Sequence, residues 1–259
     1  MTSPAVMPEP VPPVPLDKSN ARIRAMFGKI APYYDLLNHL LSLNIDKRWR
    51  AKTVKLVPPL PGKGPVLDLC TGSGDLALAY QKAGKGRIPV VGADFCGPLL
   101  DRACRKAKSS NAKSESPLHF LQADAQLLPF ADNLFQIVSV AFGLRNVADT
   151  DRGLSEMTRV CKPGGSVVVL EFSKPRVKVL DKLYLWYFRS VLPRVGQWFS
   201  KSPDAAYKYL PESVLSFPDY EALCERMKAQ GLVNVKYFPL TFGVATIYVG
   251  HKPKRESTS

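Results

Sequence analysis

Short apolar runs alternate along the chain with longer stretches in which apolar residues recur every three or four positions. The short runs are typical of buried strands, and the periodic stretches are typical of amphipathic helices. Strands are predicted at residues 65–69, 90–94, 118–125, 134–142 and 166–172, and helices at residues 76–79, 96–108 and 153–161. Because strands and helices alternate, we predict an α/β fold with a parallel, doubly wound sheet.

The two ends of the chain depart from this alternation. A helix over residues 218–230, closed by Gly231, precedes two strands at 234–239 and 245–251 that form a predicted hairpin. The predicted parts of the chain are a disordered, proline-rich tail at residues 1–20, a single domain at 21–252 with a helical cap at 21–55 and an insertion at 177–216, and a second tail at 253–259. The first tail has neither the features of a signal peptide nor those of a transit peptide.

A turn of small residues follows the first predicted strand. It reads Asp68-Leu69-Cys70-Thr71-Gly72-Ser73-Gly74 and leads into a helical pattern. Glycine lets the backbone turn sharply and lets a ligand approach it closely. The second strand ends in Asp94, 20 residues after Gly74, where a carboxylate can accept hydrogen bonds from a ribose diol. The turn alone could be no more than a turn, but the two features together indicate a nucleoside-containing ligand.

The residues that flank the turn bear on which nucleoside it binds. A phosphate-binding loop has a further glycine before the turn or a lysine after it, whereas these positions hold Cys70 and Asp75. An acidic residue suits the start of a helix but repels phosphate. A nucleoside with a cationic or zwitterionic end fits better, and S-adenosylmethionine is such a ligand. The third strand runs into Asp124-Ala125, where a carboxylate can accept a hydrogen bond from an adenine amino group. The predicted binding residues are Asp68, Gly72, Ser73, Gly74, Asp94, Asp124 and Ala125.

A polar stripe runs through the predicted cap. Tyr34, Asp35, Asn38 and Ser42 recur at three- and four-residue spacing among leucines, so they share one helix face. Composition alone favours amphipathic helices that pack on the core. The alternative is that this stripe lines a ligand pocket.

Charge and cysteine content bear on the partners and the compartment. The net charge of +14 over 259 residues suggests an anionic partner, either nucleic acid or membrane lipid. The five cysteines form no Cys-x-x-Cys pair and are odd in number, which indicates neither a zinc site nor a disulfide framework. We therefore predict no bound metal and a reducing compartment.

Residues 177–200 combine leucines and aromatic residues, among them Trp186 and Phe188, with lysines and arginines. The segment is either a helix packed on the domain or a helix that contacts a membrane surface. No stretch reaches the roughly 18 apolar residues of a membrane span. The prediction is a cytoplasmic protein that associates with an anionic membrane.

Three further groups of residues are more specific than the glycine turn. They are Tyr34-Asp35-x-x-Asn38-x-x-Leu41-Ser42 with Trp49, Phe142-Gly143-Leu144-Arg145-Asn146-Val147, and the segment from Arg159-Val160-x-Lys162-Pro163-Gly164-Gly165 through Glu171-Phe172-Ser173-Lys174-Pro175. With these groups the chain resembles the ubiquinone/menaquinone biosynthesis C-methyltransferases over residues 27–252. In two departures from the family's signatures, Ala141 replaces a serine and Asp46 replaces a histidine, so we assign neither position a role.

This resemblance implies a class I S-adenosylmethionine-dependent methyltransferase fold, Rossmann-like, with a seven-stranded sheet whose last strand runs antiparallel. It also implies S-adenosylmethionine as methyl donor and a 2-polyprenyl quinol as acceptor. The predicted reaction converts demethylmenaquinol to menaquinol, and methylation of a 2-polyprenyl-6-methoxy-benzoquinol is the alternative. The family's positions carry over to Ser73 in the donor turn, Asp94 at the ribose and Asp124-Ala125 at the adenine. The sequence leaves the oligomeric state, including a homodimer, open.

Methyl transfer to carbon needs an electron-rich ring carbon held against the methyl donor. A quinol carbon becomes nucleophilic when a neighbouring hydroxyl loses its proton, and a phenol has a pKa of roughly 10. We predict that Arg145 stabilises the phenolate, while Asn146 and Tyr34 orient the acceptor or a water. The alternative for Arg145 is that it holds its loop to a carboxylate.

Two other function classes fit parts of the sequence. An RNA methyltransferase would use the excess of basic residues for phosphate contacts. It would also need a base-stacking platform or an added RNA-binding module, and none is visible, so we predict no nucleic-acid partner. A non-catalytic S-adenosylmethionine-binding subunit would not need the signatures at the acceptor positions, which the sequence retains.

Overall fold

Strands and helices alternate through most of the chain, as predicted. The computed structural model describes residues 18–31, 35, 42, 44–110, 116, 118–176 and 204–254. The strands are β1 (Val66–Leu69), β2 (Val90–Asp94), β3 (Leu118–Gln122), β4 (Phe135–Ala141), β5 (Cys161–Phe172), β6 (Val233–Leu240) and β7 (Ala245–His251). The helices are α1 (Asn20–Ile30), α2 (Ile45–Leu56), α3 (Asp75–Ala83), α4 (Gly97–Ser110), α5 (Thr150–Val160), α6 (Asp204–Ser216) and α7 (Glu221–Ala229), with 3-10 turns at Leu144–Asn146 and Thr241–Gly243.

Some predicted parts cannot be followed in the structure. The tail at residues 1–17, the segment 177–203 that begins the predicted insertion, and residues 255–259 lie outside the described residues. Within the described ranges, no helix combines the length and the apolar character needed to cross a membrane.

The seven strands form one sheet in the order β3-β2-β1-β4-β5-β7-β6. Strands β1 to β5 run parallel to one another, whereas β7 runs antiparallel to both β5 and β6. The α/β class, the C-terminal hairpin and the antiparallel last strand are therefore confirmed. The strand order reverses between β1 and β4, and open α/β sheets bind ligands at the carboxyl ends of the strands beside such a reversal.

Successive strand residues point into two different apolar layers, because side chains alternate across a sheet. Val167 and Val169 pack in the layer that includes α5 and α7, while Val168 and Leu170 pack in the layer that includes α2 and α3. Helices thus cover both faces of the sheet, as expected for a doubly wound fold. On one side α1 also contacts α4 and α6, and it carries the start of the predicted cap.

Three element boundaries differ from the prediction for local reasons. Strand β3 ends at Gln122 rather than at residue 125, and the side chain of Asp124 then accepts a hydrogen bond from the Gln126 N–H at 2.9 Å, which turns the chain. Helix α5 begins at Thr150 rather than at residue 153, because Asp149 caps it by accepting the Arg152 N–H. Helix α7 begins at Glu221 rather than at residue 218.

The turn predicted at residues 162–165 lies inside β5 as an irregular segment. Cys161 pairs with Phe135, and the next regular pair joins Ser166 to Ile137, so the chain bulges between them. A Cβ on Gly165 would lie 2.8 Å from both the Cys161 Sγ and the Gln136 carbonyl oxygen. Only glycine fits this position without displacing its neighbours.

Candidate functional site

The carboxyl ends of β1, β2 and β4 surround a cavity of about 40 Å³ beside the reversal of strand order. Of the predicted site residues, Asp94, Asp124, Ala125 and Asn146 line it. Among the described lining residues, Phe27 alone comes from the cap. Small-molecule sites measure roughly 300–1,000 Å³, so the wall must widen to admit a nucleoside. The carboxylates and apolar walls nevertheless suit one.

The turn between β1 and α3 has a backbone shape that requires glycine. Gly72 and Gly74 have φ values of 57° and 86°, in the left-handed region that other residues rarely adopt. A Cβ on Gly74 would also lie 3.0 Å from the ring of Phe120 and 3.1 Å from the Cβ of Ala103. The predicted strand, glycine turn and helix are confirmed.

Asp94 joins the glycine turn to the end of β2. One carboxylate oxygen accepts the Gly72 N–H at 2.8 Å, and the other accepts the Cys96 N–H at 2.9 Å. Burial raises the pKa of this carboxyl, while these backbone hydrogen bonds oppose the rise. Each oxygen of a carboxylate has a second lone pair. Asp94 can therefore hold the turn and still accept a hydrogen bond from a ligand in the cavity.

Asp68 supports the turn from below. It is buried, accepts hydrogen bonds from the hydroxyls of Thr71 at 2.7 Å and Ser139 at 2.9 Å, and does not line the cavity. Burial raises the pKa of Asp68 to about 7, although these two hydrogen bonds oppose the rise. These contacts give Asp68 a part in shaping the donor turn.

A cluster of charged residues ties the cap to the glycine turn. The Ser73 hydroxyl donates a hydrogen bond to Asp35 and accepts one from Lys106 at 2.9 Å. Asp35 also pairs with Arg102 at 3.0 Å, and Lys106 pairs with Asp75 at 2.6 Å. Burial opposes ionisation of Asp35, but the hydrogen bonds from Ser73, Arg102 and Lys106 outweigh it and lower the pKa of the carboxyl. Ser73 thus contacts the cap through this cluster and does not line the cavity.

The short turn after β4 holds Arg145 and Asn146. Arg145 is only 6% exposed, and its Nη1 donates to the Glu171 carboxylate at 2.5 Å and to the Phe142 carbonyl oxygen at 2.6 Å. These are the contacts that the alternative hypothesis predicted, in which Arg145 holds its loop to a carboxylate. The guanidinium does not line the cavity.

Asn146 differs from Arg145 in its surroundings. Its Oδ1 atom is buried and has no hydrogen-bond partner among the described residues, while the residue lines the cavity. A buried polar atom without a partner costs free energy. The hydroxyl or N–H group of a ligand in the cavity would satisfy it.

Close packing fixes this turn against the first one. A Cβ on Gly143 would lie 2.3 Å from the Cβ of Cys70, so only glycine allows the two turns to meet. Next to them the rings of Trp49, Phe142 and Phe172 form a cluster with centroids 4.6–6.2 Å apart. Trp49 is held by a hydrogen bond from its Nε1 to the Thr241 hydroxyl at 2.8 Å. The rings are inclined to one another, Trp49 is buried and the other two are half-buried, so the cluster forms an apolar wall beside the cavity residues Phe142 and Gly143.

Other predicted residues are placed as follows. Tyr34 lies outside the described residues. Asp46 pairs with Arg50 and accepts a hydrogen bond from Ser42 at 2.6 Å. The sequence did not identify three further residues of the site, which are Arg102, Lys106 and Glu171. Its only signal for them was that Asp35 and Arg145 need partners of opposite charge. In the part of the chain that the structure describes, no group of three or more histidine, cysteine or acidic side chains could hold a metal ion.

Comparisons with known proteins bear on this site. Residues 16–252 match the model of the ubiE/COQ5 methyltransferase family. The ubiquinone/menaquinone biosynthesis C-methyltransferase UbiE of Geobacter sp. strain M21 is 45% identical over 237 residues, which cover 92% of this chain and 99% of that protein. The demethylmenaquinone methyltransferase of Thermus thermophilus is 48% identical over 228 residues, which cover 88% of this chain and 100% of that protein.

A solved structure shares the fold. The S-adenosylmethionine-dependent methyltransferase structure from Thermotoga maritima superposes with a TM-score of 0.62 at 17% identity, covering 89% of this chain and 99% of that one. At this identity the likeness concerns the fold alone.

Proposed function

The chain belongs to the ubiE/COQ5 methyltransferase family, and from that premise we propose that it methylates a ring carbon of a 2-polyprenyl naphthoquinol, converting demethylmenaquinol to menaquinol. The chain is an S-adenosylmethionine-dependent methyltransferase. The naphthoquinol acceptor is supported by the demethylmenaquinone methyltransferase of Thermus thermophilus, which covers nearly all of this chain at 48% identity. The observation in the structure that carries the proposal is the buried, unpartnered Oδ1 of Asn146 in the cavity wall.

On the donor side, S-adenosylmethionine supplies an electrophilic methyl group. Asp94 would accept hydrogen bonds from the ribose hydroxyls, and Asp124 one from the adenine amino group. Both carboxylates line the cavity. Gly72 and Gly74 would keep the turn free of side chains that would block the ligand. Binding of the donor involves no proton transfer, so neither carboxylate need act as a base.

On the acceptor side, we assign Asn146 the contact with a quinol hydroxyl. Its Oδ1 accepts the hydroxyl proton in a hydrogen bond and thereby orients the ring. The aromatic cluster of Trp49, Phe142 and Phe172 provides an apolar surface against which a naphthalene ring can lie. Glu171 offsets the charge of Arg145, so we propose that Arg145 acts chiefly by fixing the turn that presents Asn146. Stabilisation of the phenolate by Arg145 remains a prediction, and so does the role of Tyr34.

A direct assay tests the proposal. The purified chain is incubated with methyl-labelled S-adenosylmethionine and three acceptors, namely demethylmenaquinol, a 2-polyprenyl-6-methoxy-benzoquinol and transfer RNA, each with a reductant present. We expect labelled menaquinol as the main product. Gly72→Val, which places a side chain in the donor turn, is the matched inactive variant.

Each result of that assay has a defined meaning. Faster methylation of the benzoquinol would move the reaction to ubiquinone synthesis. Label in RNA alone would refute quinol methylation. An Asn146→Ala variant that binds the donor normally and turns over at the full rate would remove Asn146 from the acceptor site.

We also propose a cytoplasmic, membrane-associated location, with the carboxyl edge of the sheet towards the membrane. The support is the net charge of +14 and the aromatic and basic sequence of residues 177–200, which lie outside the described residues. Phe242 adds to it. It is 76% exposed in the turn between β6 and β7, whose flanking residue Ala245 pairs with Phe172 at the carboxyl end of β5.

Vesicle flotation tests this location. We expect binding to phosphatidylglycerol vesicles that weakens as salt is added, and a loss of binding in Trp186→Ser/Phe188→Ser and in Phe242→Ser. The control is Leu134→Ser, at an exposed apolar residue that directly precedes β4 and so lies at the opposite edge of the sheet. Unchanged flotation of the two test variants would contradict the membrane contact.

A further inference from the structure

A second and larger cleft lies on the opposite edge of the sheet from the methyl-transfer site. Its volume is about 560 Å³, and its walls include Ile137 near the start of β4 and Ser166 in β5. Phe172, at the other end of the strand, lies six positions after Ser166. At 3.3 Å per residue, the distance between them along the strand is about 20 Å. The cleft is therefore separate from the cavity that holds Asp94 and Asn146.

The cleft is lined by cationic side chains. Lys63, Lys162, Lys236 and Lys254 all line it, together with His251. Among the described residues, the ammonium groups of these four lysines form no ion pair and no hydrogen bond, whereas lysines elsewhere, such as Lys106 and Lys228, pair with carboxylates. No aspartate or glutamate is among the described residues that line the cleft. Four ammonium groups that have no counter-charge among the described residues repel one another beside one cleft, and an anion bound there would relieve that repulsion.

The floor of the cleft is apolar. Leu56, Leu60, Phe238 and Val249 contribute to its walls, and Leu60 is 51% exposed. The volume lies within the roughly 300–1,000 Å³ of small-molecule sites. A cation-lined cleft with an apolar floor matches a ligand that carries an anionic group next to an apolar one.

We propose that this cleft binds a small soluble organic phosphate or diphosphate that carries an apolar group. The phosphate oxygens contact the lysine ammonium groups, and the apolar group lies against Leu60 and Phe238. The same chemistry occurs in the headgroup region of membrane phospholipids. The choice of a soluble ligand rests on the orientation proposed above, in which the opposite edge of the sheet faces the membrane.

Titration calorimetry on the full chain tests the site without any methyl transfer. The probe is geranyl diphosphate, and inorganic diphosphate and geraniol are its anionic and apolar halves. We expect geranyl diphosphate to bind more tightly than either half, and Lys162→Gln/Lys236→Gln to weaken it by about tenfold or more. Leu60→Ser should weaken geranyl diphosphate but not inorganic diphosphate.

The matched control is Lys82→Gln/Lys108→Gln, which removes the same charge from two exposed lysines of α3 and α4. It should bind geranyl diphosphate as the unaltered chain does. If both double variants lose affinity for geranyl diphosphate equally, the effect is one of net charge and the proposed site is wrong. The proposed site is also wrong if neither double variant loses affinity. Phosphatidylglycerol vesicles are the last probe. If Lys162 and Lys236 are needed for binding to vesicles but not for binding to geranyl diphosphate, the ligand is a membrane lipid and the proposal of a soluble ligand is wrong. Thermal unfolding of each variant confirms that it is folded.

Discussion

Asp68 and Asp94 lie near the carboxyl ends of the neighbouring strands β1 and β2, and their different surroundings give them different roles. Asp94 accepts the backbone N–H groups of Gly72 in the glycine turn and of Cys96, and it lines the cavity. Asp68 accepts hydroxyls from Thr71 and Ser139 and is enclosed. A carboxyl held inside a protein favours its neutral form, which makes the stability of the fold sensitive to pH at Asp68.

The first prediction concerns that sensitivity. Burial raises the pKa of Asp68 from 3.8 to about 7, so the folded chain holds this proton more tightly than the unfolded chain does. Its contribution to the free energy of unfolding is therefore complete below about pH 4 and lost as the pH rises through about 7. Urea unfolding measures the free energy of unfolding of the unaltered chain and of Asp68→Asn. The first value minus the second should fall by on the order of 4 kcal/mol between pH 4 and pH 8. Asp101→Asn, on the exposed surface of α4, is the control. A constant difference for Asp68→Asn would contradict the prediction.

The second prediction concerns Arg145. Arg145→Lys keeps the charge but removes the planar guanidinium, whose Nη1 donates to both Glu171 and the Phe142 carbonyl oxygen. The turn that presents Asn146 should loosen, so kcat should fall by about 100-fold while the Kd for S-adenosylmethionine stays within about twofold. Steady-state kinetics and calorimetry measure the two quantities. A normal kcat would leave Arg145 with no role in turnover.

Single residues at the site could be predicted when their position in an element determined their place. Asp94 ends β2 and Asp124 closely follows β3, and these strands are parallel neighbours, so the two carboxylates had to meet at the carboxyl edge of the sheet. Glu171 also ends a strand, but its pairing with Arg145 depends on how two loops pack. The spacing of residues along the sequence does not predict that contact.

At the scale of elements, the cap and α4 act on the glycine turn together. Asp35 of the cap contacts Ser73 of the turn, and Arg102 and Lys106 of α4 hold Asp35 in place. The ion pairs are partly buried, with Asp35 15% exposed in its side chain, so they are screened less than surface pairs.

The third prediction follows from this cluster. Asp35→Asn removes the charge that α4 holds, so the cap should release the turn more readily. We expect the dissociation rate of S-adenosylmethionine to rise about fivefold or more, which corresponds to at least 1 kcal/mol, and kcat to change little. Stopped-flow fluorescence of Trp49 or a displacement assay measures the rate, with Asp101→Asn as the control. A dissociation rate equal to that of the unaltered chain would show that the cluster is structural only.

The order and type of the elements followed from the apolar pattern, whereas several boundaries did not. A strand could be recognised by its apolar run, but its last residue depends on whether a neighbouring strand continues. Strand β3 stops at Gln122, opposite the last residue of β2, Asp94. The cap was predicted as helices, and its contact with the donor turn was not, because Asp35 finds its partners 38 to 71 positions further along the chain.

For the whole molecule, the proposed reaction requires a reduced acceptor. An oxidised quinone is electron-poor and has no hydroxyl proton to lose, so it cannot attack an electrophilic methyl group. The fourth prediction is that the chain is inactive on demethylmenaquinone and active once dithionite is added. The rate on the quinol should rise with pH, because the nucleophilic phenolate becomes more populated as the pH approaches the free phenol pKa of roughly 10. Equal rates on the oxidised and reduced acceptors, with reductant excluded, would refute this mechanism.

The small volume of the cavity beside Phe27 has a consequence for timing. A cavity of about 40 Å³ is too small for a nucleoside, so we expect an opening movement of the wall at Phe27 when the donor enters and again when its demethylated product leaves. Such movements take microseconds to milliseconds. We expect turnover to slow in viscous solvents, because opening displaces solvent, while the methyl-transfer step itself stays insensitive to viscosity.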